Sequence, residues 1–117
     1  MSTIRKVLLA LLVVFILIQF IKTEKNVSAA PAPNEIFAHY QAPDTVKQMI
    51  KTACYDCHSN NTVYPWYSKI QPVAWWLNDH IKDGKEELNF SEFASYTPKK
   101  ADRKLKKLME EVKEEGM

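Results

Sequence analysis

The first pattern along the chain is a continuous apolar run from Val7 to Ile21, which only Gln19 interrupts. Arg5 and Lys6 precede the run, and a charged segment at residues 22–25 follows it. A buried soluble helix is disfavoured because almost no polar face exists. The run predicts an N-terminal transmembrane helix with the following residues on the outer side, so residues 1–25 are a membrane anchor or signal segment.

A small-residue, proline-punctuated segment follows the anchor. Residues 26–34 contain the sequence Ala-Ala-Pro-Ala-Pro, which predicts an extended and mobile linker. Val27-Ser28-Ala29 resembles a signal-peptidase site, but it lies past the apolar run and behind three charges, so we expect the anchor to stay attached. Residues 35–117 then form one small domain.

Beyond the linker, apolar positions recur at spacings of three and four, which predicts three helices. The first covers residues 44–54, the second runs from about Pro72 to a stop at Gly84, and the third has Thr97 as its cap and Pro98 in its first turn. Residues 64–67 and 88–91 are expected to be irregular connectors. The positions expected to face inward are Val46, Met49, Ile50 and Ala53, then Val73, Trp76, Leu77 and His80, then Ala101, Leu105, Leu108, Met109 and Val112.

Composition agrees with this helical pattern. The chain has 46% hydrophobic residues, 26% charged residues and only two glycines, which favours a folded all-α protein. The formal net charge is +2, and residues 1–25 carry +3, so residues 26–117 carry −1 and show no nucleic-acid-binding character. A domain of this size is near the lower limit for a self-sufficient core and gains from a covalent staple.

The strongest chemical signal is the pattern Cys-x-x-Cys-His at residues 54–58, which uses both cysteines of the chain. This pattern is typical of c-type haem attachment, in which two thioether bonds hold the haem and the histidine binds the iron. It predicts one covalent haem c, with Cys54 and Cys57 as the attachment sites and His58 as the proximal ligand. The expected export across the membrane agrees with this chemistry.

Two other uses of the motif remain open. A zinc site could use Cys54, Cys57, His58 and His80, although adjacent ligands at positions 57 and 58 are awkward for one tetrahedral ion. A thioredoxin-like dithiol is the other, but the strand-helix-strand context of that motif is missing. A purely structural disulfide is disfavoured because it would close a loop of too few residues.

Several further motifs surround the cysteines. They are CYDCHSN at residues 54–60, YPWYS at residues 64–68, PVAW at residues 72–75, His80, and LNFS at residues 88–91. With these motifs, residues 35 to 117 resemble the bacterial haem-binding domain family of small cytochrome-c-like proteins. The resemblance implies a membrane-tethered, periplasm-facing helical domain with one covalent haem, held by Cys54 and Cys57 and ligated by His58.

The chain departs from the family near its end. Family members continue past a Gly-x-Met-Pro-like step into a further segment, whereas this sequence stops at Met117, which suggests a truncated domain. Met117 is the favoured distal ligand because enough chain separates it from His58 to return on the other side of the haem. His80 is the alternative, and it would give a lower potential than a thioether. The weaker candidates are Met109, Met49 and His39.

The function expected from these features is one-electron transfer between a membrane donor and a redox partner protein at the outer face of the bacterial inner membrane. No enzyme activity is expected because the sequence has no nucleophile elbow, phosphate loop or paired-carboxylate motif. The alternative is a haem-based ligand sensor or a peroxidase-like protein with an open distal site. The basic residues at positions 99–107 are interpreted as a solvated helix face, or else as a surface that steers an acidic partner.

Overall fold

The computed structural model describes residues 1–30 and 32–116. These residues form helices and no strand, so the predicted all-α class is confirmed. The α-helices are α1 (Thr3–Ile18), α2 (Ile36–His39), α3 (Asp44–Ala53), α4 (Tyr55–His58), α5 (Val73–Glu87) and α6 (Pro98–Lys113). Two 3₁₀ helices cover Trp66–Lys69 and Phe90–Ser95.

The predicted helix starts are confirmed. Helix α3 begins at Asp44, α5 follows Pro72, and α6 begins at Pro98 with Thr97 as its cap. The hydroxyl of Thr97 accepts a hydrogen bond from the Lys100 amide at 3.3 Å, which satisfies one free donor of the first turn. The predicted stop at Gly84 is wrong, because α5 continues through this glycine to Glu87.

The hydrophobic core forms where sequence patterns predicted a connector. Phe90 and Phe93 in the second 3₁₀ helix are almost completely buried, and they pack with Ile36, Leu88 and Ala101. Burying each phenylalanine side chain contributes roughly 2–3 kcal/mol, so this short segment is a main source of stability. Residues 88–91 do begin the connection from α5 to α6, as predicted, but the sequence patterns did not predict that this connection carries the core.

The apolar faces of α3 and α6 are covered only in part. Ile50 of α3 and Leu108 of α6 pack against the core cluster, as predicted. Ala101 of α6 is buried as predicted, but the other predicted positions of the two helices are wrong because they are exposed: Val46, Met49, Ala53, Leu105, Met109 and Val112. The predicted helical spacing is correct, but the core is small and covers only one side of the apolar face of each helix.

The side of α5 that faces inward overlaps the predicted one only in part, and Val73 and Leu77 are half-buried as predicted. Ile81 is its buried residue, whereas Trp76 is 64% exposed and His80 is also exposed. The inward orientation predicted for Trp76 and His80 is wrong. The physical reason is Gly84, whose missing side chain lets that side of α5 approach the Cys57 backbone closely.

Helix α1 has 16 residues and no buried side chain. The transmembrane helix expected at the amino terminus is not found: in the part of the chain that the structure describes, no helix is both long and apolar enough to cross a membrane. The helix ends at Ile18, three residues before the apolar run does, because the chain from Gln19 onward turns to hydrogen-bond with Gln71.

The contact between the end of α1 and the start of α5 is called the junction here, and its residues are Gln19, Ile21, Gln71 and Trp75. The Gln19 side chain pairs with the Gln71 backbone, accepting from its amide at 2.9 Å and donating to its carbonyl at 3.0 Å. The Gln71 side-chain amide donates to the Ile21 carbonyl at 2.8 Å, and the Trp75 indole donates to the same carbonyl at 3.3 Å. Gln71 is only 2% exposed, so these bonds are largely protected from water.

Residues 22–26 continue from the junction along α5, and we call this segment the strap. Together with the strap, Ala74, Asn78, Ile81 and Lys85 of α5 line the clefts on this side of the molecule. The strap ends at Asn26, which enters the hydrogen-bond network of the cysteine motif. The segment predicted to be a mobile linker, residues 26–34, is hydrogen-bonded at both ends, because the Asn34 carbonyl also accepts from the Ala94 amide at 2.9 Å.

Candidate functional site

Helix α4 places both thiols and the imidazole of the cysteine motif on one helical turn. The amides of Cys57 and His58 both donate to the Cys54 carbonyl, at 3.3 and 3.0 Å. Residues three and four positions apart share one side of such a turn. Both cysteines are free and half-buried. The turn therefore presents two thiols and one imidazole together.

The His58 ring is fixed by two backbone carbonyls of the α5 carboxyl end. Its Nδ1 atom lies 2.8 Å from the Gly84 oxygen and 2.9 Å from the Leu88 oxygen. A carbonyl can only accept, so Nδ1 carries the proton and Nε2 is left with the lone pair. The Phe90 ring packs edge-on against the imidazole, with ring centroids 6.4 Å apart. His58 is thus held in the tautomer that binds a metal through Nε2.

Gly84 is required by the close contact between α5 and the motif. A Cβ atom built at this position would lie 2.5 Å from the Cys57 carbonyl oxygen, far inside contact distance. The same glycine supplies one of the carbonyls that hold His58. The sequence could show the glycine but not the contact, because its partner lies in another helix.

The CYDCHSN motif at residues 54–60 and the LNFS motif at residues 88–91 are joined by hydrogen bonds between polar groups. The Asn60 amide donates to the Ser91 hydroxyl at 3.0 Å, and the Asn89 side chain donates to the Asn60 side-chain oxygen at 2.9 Å. The Asn89 side-chain oxygen in turn accepts from the Ser91 amide at 3.0 Å. The loop after His58 is therefore pinned to the core segment that carries Phe90.

Asn26 is a site residue that sequence reasoning missed. Its side-chain amide donates to the Ser59 carbonyl at 2.8 Å and to the Thr62 hydroxyl at 2.9 Å, and its side-chain oxygen accepts from the Lys85 ammonium at 2.8 Å. Its backbone amide donates to the Tyr64 hydroxyl, and its carbonyl accepts from the Thr62 amide. Asn26 stands alone between a charged segment and a small-residue segment, so no periodic pattern in the sequence predicts that it belongs to the site.

The motif lies in a partly desolvated environment. Burial raises the pKa of the Cys54 thiol, and the nearby Cys57 adds to the effect. Burial likewise raises the pKa of Cys57, with a further contribution from the negative charge of Asp56. Both thiols are consequently neutral at pH 7. Burial also moves the pKa of Tyr55 well above its usual range, helped by the hydrogen bond from its hydroxyl to Glu35.

The structure does not bring the alternative ligands to the motif. His80 is exposed and packs against the Trp76 ring, with centroids 4.3 Å apart and the planes nearly perpendicular. The Nε2 atom of His39 lies 2.6 Å from the Pro33 carbonyl oxygen. Met117, the favoured distal ligand, lies outside the described residues.

The set proposed for zinc is also not assembled. Across residues 1–30 and 32–116, no group of three or more His, Cys, Asp or Glu side chains is placed to hold a metal ion. Cys54, Cys57 and His58 share one turn but do not converge on a single point, and a covalently held haem needs no such convergence because the thiols bond its ring and only the imidazole binds its iron. The residues present therefore fit that cofactor.

Comparison with known proteins gives one match. A sequence model described as a haem-binding domain matches residues 13–117. The matched region begins inside α1 and so includes the junction and the strap, whereas the sequence motifs placed the start of the domain at residue 35. No match was found among curated proteins or among solved structures.

Proposed function

The chain belongs to the haem-binding domain family, and we propose that it is a membrane-tethered, periplasm-facing c-type haem protein that carries single electrons. The observation that carries this proposal is the fixed tautomer of His58 beside two free thiols on one turn. When bound, the haem supplies one-electron redox chemistry at its iron. In this proposal the protein attaches the haem, orients its iron ligand and shields it in part from water.

Each motif residue has a separate role in holding one haem c. Cys54 and Cys57 are assigned to the two thioether bonds, and His58 is assigned to the iron as proximal ligand. The carbonyls of Gly84 and Leu88 hold the Nδ1 proton, which makes Nε2 a stronger donor and favours the oxidised iron. For the distal position we keep Met117, because His80 is exposed against the Trp76 ring and is not brought to the motif.

The geometry suits an electron carrier because such a protein needs fixed ligands more than reactive side chains. The loop after His58 is pinned by Asn60, Asn89 and Ser91, so little rearrangement accompanies a change in iron charge. A redox partner protein completes the proposed transfer, and the proposal requires no enzyme activity. The basic side chains of α6 that face solvent suit an acidic partner.

The proposed tether is α1. None of its side chains is buried, and its apolar side chains from Ile4 to Leu17 are exposed all around the helix. A helix that is apolar on every side is stabilised by lipid and not by water. The proposed orientation rests on the sequence and not on α1 as a spanning helix: Arg5 and Lys6 before the apolar run favour the cytoplasmic side, so we propose that the residues after the run face the periplasm.

The test is an optical spectrum of the full chain made in a host that matures c-type haem, together with a pyridine haemochrome assay. We expect a c-type haemochrome and sharp reduced bands that carbon monoxide does not shift. The double variant Cys54→Ala/Cys57→Ala is expected to lose its haem to acidic organic solvent, and retention would rule out thioether attachment. A reduced spectrum that carbon monoxide shifts would favour an open-site ligand sensor or peroxidase-like protein instead.

A further inference from the structure

No flexible spacer separates α1 from the haem-binding domain. Helix α1 ends at Ile18, and the next residue, Gln19, already pairs with the backbone of Gln71. Gln71 is buried and also holds the Ile21 carbonyl. Any surface that takes up α1 is therefore brought directly against the part of the domain that surrounds the junction.

Exposed apolar side chains lie in the two chain segments that meet at the junction, residues 20–21 and residues 66–70. We call this set the junction patch: Phe20, Ile21, Trp66, Tyr67 and Ile70. Phe20 is 79% exposed and Trp66 is 73% exposed, which is unusual for large rings that could pack inward. The rings of Trp66 and Tyr67 pack edge to face, with centroids 5.7 Å apart. Phe20 and Ile21 continue the chain directly from α1, and Ile70 directly precedes Gln71 of the junction.

We propose that the junction patch lies in the interfacial layer of a lipid bilayer, so that the haem-binding domain rests on the membrane through a defined face. This inference rests on the membrane tether proposed above. Tryptophan and tyrosine favour the layer between lipid tails and water because each has an apolar ring and a polar group. Lys22 and Lys69 are exposed beside the patch and suit the phosphate of lipid headgroups.

The position of the patch argues against the haem as its occupant. The junction contacts the start of α5 at Trp75, whereas the cysteine motif contacts the same helix at Gly84. Nine residues of α-helix separate these two contacts, which is a rise of about 14 Å. The patch and the motif therefore occupy different ends of α5, and the resting orientation keeps the motif away from lipid.

The experiment measures how fast single added cysteines react with a water-soluble maleimide in the full holoprotein. Its own cysteines are consumed by the proposed thioethers, so Trp66→Cys or Ile70→Cys supplies the free thiol, and Lys106→Cys on exposed α6 is the matched control. Each variant is reconstituted in vesicles of phosphatidylcholine and phosphatidylglycerol. A second version of each carries a Gly-Ser spacer of about twelve residues between Ile18 and Gln19, which frees the domain from α1 without breaking the glutamine pair.

We expect Trp66→Cys and Ile70→Cys to react at least about fivefold more slowly without the spacer than with it, because lipid covers them only when the domain is held close. Lys106→Cys is expected to react equally fast in both. Equal rates at position 66 would overturn the proposal. Slow reaction in both versions would also overturn it, since haem or a second copy of the chain would then cover the patch. Co-flotation with vesicles is measured first, and its failure would instead refute the tether.

Discussion

The two ends of α5 are held by different means. At its start, hydrogen bonds of the Gln19, Gln71 and Trp75 side chains join α5 and the residues before it to the end of α1. At its end, Gly84 meets the cysteine motif through the absence of a side chain, and its backbone carbonyl receives the His58 proton. The first end can adjust by side-chain rotation, whereas the second end cannot.

The two ends of α5 therefore differ in how much movement they allow: the junction joins the domain to α1, and the other end holds the proposed iron ligand His58. A small movement of α1 can be absorbed by Gln19 and Gln71, because their amide groups are at the ends of flexible side chains. The His58 ring has no such freedom, since it lies between two carbonyls and the edge of Phe90. We therefore expect the protein to tolerate change at the junction better than change at the motif.

The largest effect is expected from His58→Ala, which removes the proposed iron ligand and leaves both thiols. The haem should still attach, but the low-spin bands of the reduced protein should be lost because one axial bond is missing. Optical and electron paramagnetic resonance spectra after a haemochrome assay measure this. His80→Ala is the matched control and should keep the proximal bond. Unchanged iron spectra in His58→Ala would contradict the assignment.

Gly84→Ala should cause the next largest change. The new Cβ would meet the Cys57 carbonyl at 2.5 Å, so α5 or the motif must shift, at a cost of about 2–3 kcal/mol in the free energy of unfolding. Chemical denaturation measures it. Gly116→Ala is the control, because the Cβ there meets the flexible side chain of Glu111. Equal stability of the two variants would show that the close contact is not required.

At the junction end, Gln71→Ala removes the donor to Ile21 and the acceptor for the Trp75 amide. Because position 71 is buried, we expect a loss of about 2 kcal/mol in the free energy of unfolding, with faster amide exchange at Gln19. Gln48→Ala on the exposed face of α3 is the control and should change little. If Gln71→Ala altered the haem spectrum as much as Gly84→Ala, the proposed contrast between the two ends would be wrong.

Asn26→Ala tests the strap, which connects the two ends. Loss of its side-chain bonds to Ser59, Thr62 and Lys85 is expected to lower the free energy of unfolding by about 1 kcal/mol, since water reaches this half-buried site. Asn26→Asp keeps the acceptor for Lys85 but sets a carboxylate against the Ser59 carbonyl, so it should be no more stable than Asn26→Ala. A fully stable Asn26→Asp would mean that the amide donor is not needed.

The smallest effect is expected at the exposed ion pair between Lys107 and Glu87, 2.8 Å apart, where α6 meets the end of α5. The hydrogen bond from Lys107 holds the pKa of Glu87 below its usual value. Its stabilisation is therefore present above the unfolded-state pKa and is lost as the pH falls through the lower folded-state pKa. Lys107→Ala should lower Tm slightly at pH 7 and not at all in strong acid. Lys113→Ala is the control.

Much of the helical framework could be predicted from local signals. The cap at Thr97, the proline at position 98 and the start at Asp44 act within one helical turn, so the sequence alone reveals them. Phe90 and Phe93 were missed as core because a six-residue 3₁₀ helix is too short to show a period. The exposure of Trp76 and His80 was missed because a single glycine contact turns α5 away from them.

The candidate site also contains residues that the sequence predicts and residues that it does not. Cys54, Cys57 and His58 are adjacent in sequence, so their grouping on one turn could be predicted. The carbonyls of Gly84 and Leu88 could not, because every residue has a carbonyl and these two lie far along the chain from His58. Asn26 was missed for a related reason, since its partners lie more than thirty residues away.

The strap determines where a shortened version of the protein can begin. Cleavage after Ala29, in the segment that resembles a signal-peptidase site, would remove Asn26. The remaining domain would then lose the hydrogen bonds that Asn26 makes to Ser59, Thr62 and Lys85. A version without α1 that is intended for crystals or electrochemistry should therefore begin no later than Gln19, so that both Gln19 and Asn26 remain. The residues between the helix and the first proline are part of the folded unit, and the useful boundary for expression lies at the end of α1.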